Sequence, residues 1–221
     1  MKLNADFSKR AVVKAAETDW IASPMPGVSR KMLDRIGDEV ARATTIVRYA
    51  PGSHFSAHTH DGGEEFIVLD GVFQDESGDF PAGSYVRNPP TSSHTPGSEF
   101  GATILVKLHQ FAPDDRTHIR IATQKNSFVA AEGRPGVSVM PLFEDAREAV
   151  RLERWAPEAE LRVDAVGGLE LFVLDGGVTE GSDSLGAWDW LRLPDGATLQ
   201  AVSGPQGARV WIKTGHLRGL A

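Results

Sequence analysis

The residues best equipped for chemistry gather in one stretch, Gly52-Ser53-His54-Phe55-Ser56-Ala57-His58-Thr59-His60-Asp61-Gly62-Gly63-Glu64. Neighbouring side chains on a strand point to opposite faces, so His58 and His60 share one. Asp61-Gly62-Gly63 reads as a turn, after which a returning strand brings the Glu64 carboxylate back beside the two imidazoles. A fourth candidate is His94, at the end of Pro89-Pro90-Thr91-Ser92-Ser93. Three imidazoles and one carboxylate are a donor set for one divalent transition metal, whereas calcium and magnesium prefer oxygen alone. Zinc is expected first and iron second, because ligand type leaves several metals open and supply and free coordination positions decide among them. His54 falls on the same face if its strand runs straight and is expected to touch the ligands or line the pocket; Phe66, Val68 and Tyr85 are expected in that lining too. Glu65, next to Glu64, should point the other way.

The elements that must position these groups read as short strands. Ala43–Tyr49, Glu65–Leu69, Val72–Asp75, Gly83–Arg87 and Thr103–Leu108 are rich in β-branched and aromatic residues and are separated by Pro, Gly and Asp. That pattern predicts an all-β chain of antiparallel jelly-roll barrels, with Asp70-Gly71 as a turn and no long helical periodicity.

A repeat doubles the architecture. Gly62-Gly63-Glu64-Glu65-Phe66-Ile67-Val68-Leu69-Asp70-Gly71 returns as Gly167-Gly168-Leu169-Glu170-Leu171-Phe172-Val173-Leu174-Asp175-Gly176. Upstream, Arg48-Tyr49-Ala50-Pro51 matches Arg154-Trp155-Ala156-Pro157; downstream, Tyr85-Val86-Arg87-Asn88-Pro89 matches Trp190-Leu191-Arg192-Leu193-Pro194. Two domains are expected, 1–114 and 115–221, joined near Ala112-Pro113-Asp114-Asp115. In this register His58, His60, Glu64 and His94 face Val163, Ala165, Leu169 and Leu199, so the second copy is expected to hold no metal.

Bulk composition narrows the function classes. An apolar fraction of 41% supports a sizeable core, and a net charge of -7 gives no basic footprint for nucleic acid. The absence of cysteine excludes disulfides and thiolate metal sites. No apolar run approaches the ~20 residues of a membrane span and the start carries no secretory signal, so a cytoplasmic, non-membrane protein is expected.

These residues resemble the cupin superfamily. Gly52, His58, His60, Glu64 and Gly71 fill every named place of its first motif; Gly83, Pro89 and His94 match the second, with Thr91 replacing a glycine and Ser98 an asparagine. The run from His58 to Phe73 and on from Gly83 to His94 is similar to the cupin domain of the ChrR family of anti-sigma factors. That resemblance implies zinc at the matching His, His, Glu and His positions and a place in the response to singlet oxygen and hydroperoxides. The family's sigma-binding zinc module uses cysteines and has no counterpart in this sequence, nor room before the first barrel. The expected function is therefore a sensor or regulatory protein of oxidative stress without that module, its partners an oxidant or small-molecule ligand, a regulatory protein and a second copy as a homodimer. The alternative is a non-haem metal-dependent dioxygenase acting on a small diketone or aromatic ketone.

Overall fold

The computed structural model describes residues 1–220. Its two large sheets, of eleven and nine strands, are antiparallel at every pairing and belong to two compact units. Among the described residues no helix is long and apolar enough to cross a membrane.

Unit one comprises Met1–Ala5 and Asp19–Lys125. Its central strands are Val28–Gly37, Ala41–Tyr49, Ala102–Leu108 and Glu64–Asp75, neighbours in that order, followed by Ser84–Asn88 and Ile119–Ala122. The register sets cross-strand rows on the inner face: Glu64 beside Leu108, Phe66 beside Val106, and Val68 beside Ile104. Phe66, Val68, Phe73, Val86 and Tyr49 close over one another as the core of this unit. A separate two-stranded ribbon, His58–Thr59 with Ser93–His94, pairs His58 directly with His94.

Asp70-Gly71 is not a turn. The strand runs unbroken from Glu64 to Asp75, and Gly71 supplies a bend within it at φ 72°. A Cβ there would lie 2.1 Å from the Gly101 carbonyl oxygen, so the neighbouring strand passes too close for any side chain. Gly176 in unit two does the same against Gly207.

Unit two comprises Asp6–Thr18 and Asn126–Ala221. Val137–Glu144, Ala149–Trp155, Thr198–Thr214, Leu169–Glu180 and Trp190–Leu193 lie side by side around a continuous apolar core. The division differs from the expected 114/115 boundary because strand pairing is non-local. Ala11–Val13 pairs with Trp190–Leu193 and so joins unit two, while Ile119–Ala122 pairs with Ser84–Asn88 and stays in unit one.

Each unit also buries charge on the other face of its sheet. Glu65 lies between Arg87 and Lys107 across neighbouring strands, and Glu170 lies between Arg192 and Lys213. Glu65 does point away from Glu64, as period two requires, into a buried setting where Tyr85 donates a 2.5 Å hydrogen bond to it.

Candidate metal centre

The ribbon and the start of strand Glu64–Asp75 bring the four sequence candidates together. His60 Nε2 and His94 Nε2 are 3.2 Å apart, and Glu64 Oε2 is 3.5 Å from each. His58, His60 and His94 each present a ring nitrogen within 4.8 Å of the others. His60, His94 and Glu64 are buried and His58 is exposed, so the cluster meets solvent on one side.

The outer hydrogen bonds decide which nitrogens face inward. His58 Nδ1 lies 3.0 Å from the Ser56 carbonyl, which can only accept. His94 Nδ1 lies 3.2 Å from Asp75 Oδ2. His60 Nδ1 lies 3.1 Å from Ser92 Oγ, whose own proton goes to the Pro89 carbonyl at 2.6 Å, leaving an oxygen that accepts. Every outer partner is thus an acceptor, each Nδ1 carries the proton, and each Nε2 keeps a lone pair turned to the centre. Two lone pairs at 3.2 Å beside a carboxylate repel unless a metal ion or a shared proton lies among them. Donor atoms about 2.0–2.2 Å from a shared ion stand roughly 3.0–3.5 Å apart, which matches the 3.2 and 3.5 Å separations within the cluster. The cluster is capable of holding one divalent metal.

Further contacts fix the remaining pieces. Asn88 Nδ2 donates to Glu64 Oε2 at 3.1 Å, and Arg120 orients the Asn88 amide by donating to its Oδ1 at 2.7 Å. Burial pushes the His60 pKa down, helped by the neighbouring imidazoles and opposed by Glu64. Burial also disfavours charge on His94, but the Asp75 hydrogen bond and the Glu64 charge outweigh it and raise the pKa. Burial alone would raise Asp75; hydrogen bonds from His94 and the Ser77 backbone overcome that and hold it ionised. Asp75, Ser56, Ser92 and Asn88 carry no motif signal, and only their places in the fold reveal them.

Beside the cluster lies a cavity of about 230 Å³ whose lining includes His58 and Glu64 together with Val47, Tyr49, Phe55, Ile104, Val106 and Leu108. The expected lining residues are elsewhere. Phe66 and Val68 do lie on the Glu64 face, but Phe73, Val106 and Ile104 pack over them. Tyr85 pairs with Ile67, is fully buried and is committed to Glu65 on the opposite face. His54 is exposed, and its imidazole lies against Gly97, where a Cβ would come within 2.3 Å of Nδ1.

In unit two the equivalent ribbon pair is Val163 with Leu199. Ala165, Leu169 and Leu199 are fully buried in the apolar core and Val163 packs against it. Among the described residues, the cluster able to hold a metal is confined to unit one.

A family model described as the ChrR Cupin-like domain matches residues 8–112. No curated protein matches the sequence. Solved structures match nearly the whole chain. A candidate dioxygenase from Nostoc punctiforme superposes with a TM-score of 0.76 at 16% identity, covering 95% of this chain and 82% of its own. The glyoxylate-induced protein named from Pseudomonas aeruginosa gives 0.73 at 15% identity, covering 100% and 93%. Oxalate decarboxylase from Bacillus subtilis gives 0.62 at 13% identity, covering 93% and 76%. These likenesses place the fold among tandem cupin barrels.

Proposed function

We propose that this two-barrel cupin is a metal-dependent enzyme of the dioxygenase type, acting on a small diketone or aromatic ketone at His58, His60, Glu64 and His94 of barrel one. The observation that carries this reading is the apolar cavity that reaches His58 and Glu64. A purely structural metal site is closed on all sides, whereas a catalytic one keeps a substrate approach. The names of the similar Nostoc and Bacillus structures support an enzyme over a regulator.

In this reading the three Nε2 atoms and Glu64 hold a metal, with iron preferred over the zinc expected from affinity and supply, because oxygen chemistry needs a redox-active ion. When bound, that ion supplies Lewis acidity and electron transfer to dioxygen. The chain does the rest. Ser56, Ser92 and Asp75 hold the imidazole protons outward, and Asn88 and Arg120 orient Glu64. Val47, Tyr49, Ile104 and Val106 offer an apolar wall that excludes water and receives the hydrocarbon part of the substrate.

A sensor of the ChrR type is the second reading, favoured by the family match over residues 8–112. The two part at the metal. Elemental analysis of protein purified without added metal should give about one ion per chain, lost in a His58→Ala/His94→Ala variant. Iron-loaded protein should then consume oxygen with 1-phenyl-1,2-propanedione. Full iron loading without oxygen uptake across diketones and aromatic ketones would sink the dioxygenase and leave the sensor; no metal, even after reconstitution, would sink both.

A further inference from the structure

The cavity beside the metal cluster contains one cationic group that the reading above does not use. Arg30 lies on strand Val28–Gly37 opposite Val47, in the inner-face row that continues through Ile104 to Val68. Its side chain lines the same cavity as His58 and Glu64. Arg30 Nε is buried and has no hydrogen-bond partner. The carboxylate near it is Glu39, 3.6 Å from Nη1, with a side chain 69% exposed and no hydrogen bond to the guanidinium. Such a contact is loose and largely solvent-screened.

The second barrel shows what a charge in this row does when the chain itself satisfies it. Arg30 and Val47 correspond to Val139 and Glu153, which again face each other across two strands. Glu153 receives two hydrogen bonds from Arg134, at 3.0 and 2.9 Å, one from Arg151 at 2.6 Å and one from Trp155 at 2.7 Å. Barrel two closes its ionic cluster internally. Barrel one leaves its guanidinium at a cavity wall, held by one loose contact to Glu39.

We propose that Arg30 anchors the carboxylate of a small, otherwise apolar ligand in this cavity, which narrows the ketone class of the reading above to keto acids. A guanidinium presents a planar fork that fits a carboxylate, and a ligand acceptor would replace the loose 3.6 Å contact with Glu39. The apolar wall takes the body of the acid, and His58 and Glu64 meet its far end. The proposal rests on the metal-centre reading only for what that far end encounters; the anchor itself needs no metal.

Two probes separate the effects, benzoylformate and 1-phenyl-1,2-propanedione. Both are aryl α-dicarbonyl compounds, and only the first carries a carboxylate. Calorimetric titration of the full chain, metal-free and zinc-loaded, should show benzoylformate bound about tenfold or more tightly than the dione in both forms, as befits a charge-assisted hydrogen bond. Arg30→Met should abolish the preference while leaving the dione's affinity unchanged, and Arg30→Lys should restore part of it. A preference that survives Arg30→Met would overturn the anchor, as would a wild-type protein that binds both probes equally or neither. A preference seen only with zinc would place the carboxylate on the metal, and that also overturns it. Zinc content of the same samples tests the metal centre separately, so failure of one reading is not mistaken for failure of the other.

Discussion

The two barrels share a register almost residue for residue, yet one centre is polar and the other apolar. His58 faces His94 across a two-stranded ribbon in barrel one; Val163 faces Leu199 at the same place in barrel two. Glu64 begins the strand whose counterpart begins with Leu169, and Asn88 and Ser92 become Leu193 and Ala197. In barrel two the polar neighbours are absent together with the clustered side chains they contact. The fold therefore does not need the cluster, and the cluster in barrel one is retained at a cost. Buried polar groups without a shared cation destabilise, whereas apolar packing of similar shape does not.

The largest effect should come from erasing that difference. Replacing His58, His60, Glu64 and His94 by the residues of barrel two, Val, Ala, Leu and Leu, should reduce metal content from about one ion per chain to none. The metal-free variant should nonetheless unfold at or above the temperature of metal-free wild type, since apolar substitutes for a buried polar cluster are commonly neutral or stabilising. Differential scanning calorimetry in chelator reads this directly. A variant that fails to fold would mean the two centres are not interchangeable and the comparison is superficial.

The next contrast lies one row further in. Glu153→Gln leaves Arg134 and Arg151 around a neutral amide and should cost about 3 kcal/mol, reduced somewhat by the partial exposure of both arginines. Arg30→Met in barrel one removes a donor that lacks a full partner and should change stability by less than about 0.5 kcal/mol. Burial alone would raise the Glu153 pKa, but the hydrogen bonds and charges of Arg134 and Arg151 lower it. A depressed carboxylate contributes stability above its unfolded pKa of about 4 and loses it as pH falls through the folded value. Urea titrations at neutral and acid pH should therefore show a wild-type loss on acidification that is smaller in Glu153→Gln. Equal costs for the two substitutions would break the distinction between a satisfied and an unsatisfied charge.

Much of this was legible in the chain. The clustering of His58, His60 and Glu64 follows from period two and a Gly-rich turn, with one later histidine joining them, and the apolar residues at the matching positions of barrel two follow from the repeat. The cavity lining was not legible. Alternation places Phe66 and Val68 on the correct face, but Phe73 and the strand Ala102–Leu108 decide that they are covered, and those neighbours are distant in sequence. Tyr85 depends on the register with Ile67, which no single strand carries. The compact units divide the chain differently from the expected boundary for the same reason: Ala11–Val13 and Ile119–Ala122 are short strands whose partners the sequence does not name. Arg30, a single cation on a strand, gives no local sign that it faces inward.

The smallest predicted effect tests the groups around the ligands. The Asp75 side chain is 1% exposed and accepts the His94 Nδ1 proton; its counterpart in barrel two, Glu180, is instead paired with Arg10 at 2.5 Å. Asp75→Asn keeps the shape but can present an amide N–H to Nδ1, moving the imidazole proton to Nε2 and blocking the metal. Loss of such an outer carboxylate should weaken metal affinity about 10–100-fold. The pH dependence carries the sign. In metal-free wild type, Asp75 and Glu64 raise the His94 pKa against burial, so protons compete with metal up to a higher pH. In Asp75→Asn that pKa falls, and the loss of affinity on acidification should begin at lower pH although affinity at neutral pH is weaker. Competition titrations with a chelating dye across the imidazole range measure both. Unchanged affinity with an unchanged pH profile would mean that Asp75 does not set the proton on His94, and that the tautomer argument for the whole cluster must be abandoned at that ligand.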